Sequence, residues 1–121
     1  MNDVKNRMFA DMAQCIEDLS LHFSDASLRT SEPTTQLESD ESFLRMSAAL
    51  VTAGIPPLEL KRLLGRMFRL QAHSFLVMLD GGSQLADQGR VFLKDDLGES
   101  VGEGLHEAFY DFLDDAQLLQ D

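Results

Sequence analysis

At 121 residues with 44% hydrophobic content, the chain is sized for a single domain over 1–121 and is too apolar to be wholly disordered. Its 21 acidic against 10 basic residues give a formal net charge of -11, a field that repels phosphate backbones and anionic membranes and disfavours a nucleic-acid partner. The single cysteine, Cys15, excludes an intrachain disulfide, a CxxC redox pair and a cysteine metal cluster, and fits a reducing compartment.

From Val4 to Phe23 the apolar residues Met8, Phe9, Met12, Cys15, Ile16, Leu19 and Phe23 recur at steps of three and four, the spacing of one helical stripe. Cys15 sits inside that stripe, which predicts a buried, inert thiol rather than a nucleophile. Ser24 to Ser39 holds seven Ser or Thr, Pro33 and only two large apolar residues, Leu28 and Leu37, so 24–39 reads as a flexible connector with too little apolar surface to order itself. Ser39 or Asp40 can cap a second helix with the apolar face Phe43, Leu44, Met46, Ala49, Leu50 and Val51, stopped by Gly54.

Pro56 and Pro57 then open a third helix, since the missing amide of proline costs nothing in a first turn. Leu60, Leu63, Leu64, Met67, Phe75 and Met78 share one face of it, while Arg62, Arg66, Arg69 and His73 form a basic stripe opposite. Phe75 to Leu79 is apolar all round: either the end of this helix, the favoured reading, or a strand stopping at Asp80-Gly81-Gly82. Gly81 to Gly89 reads as loop, and Arg90 to Lys94 as a short strand or half a small hairpin, followed by a turn at Asp95-Asp96-Leu97-Gly98.

Ser100 and Glu103 have the spacing of a capping box for a last helix, weakened by Gly102 and Gly104. In that helix Leu105, Phe109, Phe112, Ala116 and Leu119 line one side, and Glu103, Glu107, Asp111 and Asp114 the other. The expected fold class is mainly α, a helical bundle of about four helices with room for one small hairpin or strand around 90–94. Met12, Leu19, Leu64, Met67, Phe109 and Phe112 are the expected core.

Glu103-x-x-His106 supplies half of the ligand set of a bundle di-iron site, but neither His22 nor His73 follows a Glu by three residues, so no metal site is expected. An EF-hand needs Gly at its sixth position and Glu at its twelfth; counting from Asp95 puts Ser100 and His106 there, and counting from Asp96 puts Val101 at the sixth. Gly81-Gly82-Ser83 lacks the lysine of a phosphate loop, and no ordered nucleophile signature occurs. The chain is therefore not read as an enzyme, and no cofactor is implied. An enzyme would need a pocket in which His73, His106, Asp80 or Tyr110 converge. The helices around Gly54-Ile55-Pro56-Pro57 superficially resemble a helix-turn-helix, which the negative charge and paired prolines oppose.

Charge is divided unevenly: 1–45 hold nine acids and four bases, 46–94 three and six, and 95–121 nine acids with no Lys or Arg. Two polar faces of opposite sign fit steered binding to another protein, expected to be basic. The candidate partner-binding residues are Glu103, Glu107, Asp111 and Asp114 on one face and Arg62, Arg66, Arg69 and His73 on the other. The expectation is a small acidic protein-binding domain of immunity or inhibitor type, with a secretion-type chaperone as the alternative and an enzyme or helix-turn-helix binder ranked below both. The stretch from Met1 to Lys5 has no apolar h-region and Phe75 to Leu79 is far shorter than a membrane span, so a cytoplasmic location is expected.

Overall fold

Helix signals in the sequence become four helices in a computed structural model that describes residues 3–29, 32–82, 87–89 and 91–119. They are α1 (Asp3–Ser27), α2 (Glu41–Ala53), α3 (Pro57–Leu79) and α4 (Leu105–Asp115). The fold class is mainly α; among the described residues the only strand-like pairing is an isolated antiparallel bridge between Lys94 and Ser100. No helix among them is long and apolar enough to cross a membrane. Thr30, Ser31, part of the 81–89 loop and Arg90 of the strand candidate lie outside the described residues. The chain divides into two compact units, Ile16–Phe68 and Met1–Cys15 with Arg69–Asp121.

In the unit formed by Ile16–Phe68, serines occupy buried positions on the helices. Ser20 and Ser24 are 2% exposed and Ser27 is 3% exposed, although this part of the chain contains larger apolar side chains. Their hydroxyls find acceptors: Ser20 donates to the Ile16 carbonyl at 2.5 Å and Ser24 to the Pro57 carbonyl at 3.0 Å. Ser47 of α2, fully buried, donates to the carbonyl of Ser27 at 2.6 Å, satisfying an orphan acceptor in the last turn of α1. Gly65 of α3 faces Ser20, and a Cβ there would lie 3.4 Å from the Ser20 hydroxyl. Small residues admit a neighbouring backbone that Leu or Met would hold away.

This selection of small side chains corrects the expected core. Leu19 and Met67 are 39% and 55% exposed, and Met12 and Leu64 are only half-buried; in the Ile16–Phe68 unit the buried side of α1 is Ser20, Ser24, Ala26 and Ser27 instead. Cys15, expected inside the core, is exposed, and Phe9 takes the buried position in that half of α1. Leu63 and Phe75 are likewise exposed, while Leu60, Leu76 and Leu79 are buried.

The expected connector is shorter than its sequence implies. α1 continues through Ser27, four residues into that segment, and the chain enters α2 through a 3-10 turn at Leu37–Ser39. Glu38, 3% exposed, organises this turn: one carboxylate oxygen accepts from the amides of Thr34 and Thr35 at 2.9 and 2.7 Å and from the Thr35 hydroxyl at 2.8 Å. Its other oxygen faces the His22 Nε2 at 3.3 Å. The Thr34 amide and Thr35 hydroxyl are the main causes that lower its pKa to about 2. Asp40 then caps α2, accepting from Ser42 and Phe43, and Gly54 ends it at φ 69° in the left-handed conformation that glycine adopts without strain.

In the other unit, Phe9 of α1 is the hub. It is 1% exposed and lies 5.2 Å from Phe109 and 5.9 Å from Phe112 between ring centroids, both tilted. Phe109 is 2% exposed and Phe112 half-buried. α3 stays helical through the apolar run at Phe75 to Leu79 and closes with the Gly81 and Gly82 amides on the carbonyls of Met78 and Val77, the paired bonds of a Schellman ending. Beyond it, Asp95 accepts from the Leu97 and Glu99 amides and so fixes the turn that lets Val101, 4% exposed, bond the Leu93 carbonyl.

Two outcomes follow from this packing. Phe109→Ala removes a buried ring from the Phe9 cluster and is expected to cost about 3–5 kcal/mol in urea unfolding; a loss below about 1 kcal/mol would contradict it. Glu38 binds a proton more weakly in the folded chain than in the unfolded one. Its contribution is therefore complete above the ordinary value of 4.5 and is lost as pH falls from there to about 2. Stability measured across that window should fall more steeply in the wild type than in Glu38→Gln, and equal slopes would contradict the assignment.

Candidate functional site

α4 is amphipathic with a sharp division. Leu105, Phe109 and Leu113, each four residues after the last, are 2%, 2% and 5% exposed, whereas Glu103 just before the helix and Glu107, Asp111 and Asp114 within it are exposed. Tyr110, 57% exposed, stands among these acids, three residues after Glu107 and four before Asp114.

The helix does not start as its sequence predicts. Ser100 and Glu103 form no capping box; the Ser100 hydroxyl accepts from the Gly102 amide at 3.1 Å, and the N-cap is Gly104 at φ 64°, with no side chain to offer. The cap comes from the end of α3. Asp80 accepts from the Leu105 amide through Oδ1 and from the His106 amide through Oδ2, both at 2.9 Å. Its Oδ2 also meets His106 Nδ1. Burial works against the charge on Asp80, but the His106 amide, the His106 ring and the Leu105 amide outweigh it, and the carboxyl is held below its ordinary 3.8.

His106 gathers residues from both expected stripes. Its ring lies edge-on to His73 with centroids 5.4 Å apart, and its Nε2 is 3.7 Å from Glu107. Asp80, His106 and His73 thus converge, as a catalytic reading requires, but every donor to Asp80 there comes from the first turn of α4. Such an arrangement orients His106 and fixes the helix. Among the described residues no group of three or more His, Cys, Asp and Glu could hold a metal ion.

The members of the basic stripe have different surroundings. Arg62 and Arg66 are exposed in the Ile16–Phe68 unit. Arg69, half-buried in the other unit, donates to the Leu118 carbonyl at 3.2 Å just past the end of α4, and His73 packs on His106. Sequence reasoning found the four acids of the candidate face but missed the role of Asp80, which read only as part of a helix stop. The left-handed Gly104 is the one local hint that the cap has to come from elsewhere. Comparison with protein-family models, with curated proteins and with solved structures finds no match for this chain.

Proposed function

We propose that this chain is a protein-binding domain whose acidic α4 face receives a basic partner, in the manner of an immunity- or inhibitor-type protein. The observation that carries the reading is the pairing of acids with one exposed aromatic on a helix anchored from behind. Glu107, Asp111 and Asp114 lie to one side of the exposed Tyr110, within about 100° around the helix, and Glu103 stands just before its first turn, while Leu105, Phe109 and Leu113 are buried on the opposite side. Acids spread over such a face steer an oppositely charged partner and govern its rate of arrival. A tyrosine at its edge, between the acids and the buried side, supplies rigid contact area, the kind of anchor on which interface energy concentrates.

A second reading, a chaperone holding a client, draws support from the Ile16–Phe68 unit, where Leu44, Met46, Val51, Leu63 and Met67 are 37–55% exposed. Methionine-rich apolar surface adapts to varied partners.

The two readings separate experimentally. The wild type and a Glu103→Lys, Glu107→Lys, Asp114→Lys variant, matched for helix content by circular dichroism, are used to capture proteins from source cells, and the partner is identified and its kinetics measured. The expected partner is basic, its on-rate falls with salt because exposed charges are screened beyond about 8 Å at physiological ionic strength, and the variant slows association. Tyr110→Ala should instead raise the off-rate, at a cost of about 2 kcal/mol. A partner that binds the charge-reversed variant at the wild-type rate but is lost on Leu63→Glu would overturn the inhibitor reading in favour of the chaperone.

A further inference from the structure

α1 carries another surface, separate from α4. Val4, Arg7, Met8, Asp11, Met12 and Cys15 line one shallow strip along its first half. Val4 is 45% exposed, Arg7, Asp11 and Cys15 are exposed, and Met8 and Met12 are half-buried; Phe9, further round the helix, takes the buried position. At about 100° per residue, Val4 and Cys15 run along the middle of the strip, Arg7 and Asp11 along one edge, and Met8 and Met12 along the other.

This placement selects an occupant. If two copies met with a twofold axis parallel to their helices, each charged edge would fall against the other copy's methionine edge. With the axis perpendicular to the helices, like edges lie together and run in opposite directions. Arg7 then approaches Asp11 of the second copy, Asp11 approaches its Arg7, and methionine packs on methionine along the other edge. The register that sets Val4 opposite Cys15 of the second copy also brings Arg7 within one residue of level with Asp11 and Met8 within one residue of level with Met12, so every residue of the strip meets another member of it. A partner helix of one charge sign would satisfy only one of Arg7 and Asp11; a second copy satisfies both.

We propose that the chain self-associates through this strip, α1 against α1 of a second copy in antiparallel orientation. Charged pairs flanking an apolar seam set orientation in paired helices. The strip is short and each copy carries a net charge of -11, so the dimer belongs to the weak class and forms best at or above physiological salt.

Sedimentation equilibrium of the full chain from about 10 μM to about 1 mM, the range of weak association, should show a reversible dimer. Arg7→Asp alone and Asp11→Arg alone should each weaken it about tenfold, and the two together should restore it. In a Val4→Cys variant the new thiol lies opposite Cys15 of the second copy, and mild oxidation should give a covalent dimer. The wild type should not cross-link, because its two Cys15 residues would be about 16 Å apart at about 1.5 Å per residue, beyond the roughly 7 Å limit of a disulfide. A monomer throughout the range, absence of rescue in the double swap, or cross-linking of wild-type Cys15 as readily as the variant would each overturn the proposal.

Discussion

The carboxylate of Asp80 stands where α3 ends and α4 begins, and the placement of the acidic face depends on it. α4 has only eleven residues, below the roughly 12–15 at which even good helix formers persist alone in water. Its own N-cap, Gly104, contributes no side chain. An acid at the C-terminal end of α3 is unfavourable against that helix's dipole. The same acid at the N-terminal end of α4 is favourable, and it accepts two amides and the His106 ring there. One charge that would weaken α3 in isolation thus becomes the cap that starts α4, so the two helix ends are held together. Behind the cap, the Phe9–Phe109 contact takes the apolar side of α4 out of water.

What could be read from the sequence follows from how local each signal is. Asp40 and Gly54, the cap and stop of α2, and Pro57 at the start of α3 act on backbone within a few residues of themselves, and all three stand where their chemistry places them. The polar face of α4 was equally legible, since its acids alternate with Leu105, Phe109 and Leu113 at helical spacing. The Asp80 cap was not, because it joins positions 25 residues apart and nothing near Asp80 marks its carboxylate for a distant helix. The core of α1 misled for a different reason. Hydropathy ranks Leu19 and Met12 above Ser20 and Ser24, yet close helix approach rewards small volume, provided each hydroxyl finds an acceptor. The buried Glu38 escaped notice on similar grounds, as a carboxylate is buried only where amides and hydroxyls gather around it, and here Thr34 and Thr35 supply them.

Several large apolar side chains stand outside the buried faces. Leu63, Met67, Phe75 and Val4 are 45–55% exposed. Charge is divided just as unevenly, with the acids concentrated beyond Asp95. On the proposed readings, the acidic face acts on encounter and the apolar strips on residence. The inhibitor-type reading and the antiparallel pairing of α1 use different surfaces, so neither needs the other to hold.

The central claim is that Asp80 holds the first turn of α4 in place. Amide hydrogen exchange of the wild type against Asp80→Ala, read residue by residue, tests it most directly. Loss of a helix cap costs about 1–2 kcal/mol, so exchange at Leu105, His106 and the following turn should quicken by about fivefold to thirtyfold while the amides of α2 keep their protection. Unchanged protection at Leu105 and His106 in the variant would show that α4 is positioned without Asp80 and would contradict the account.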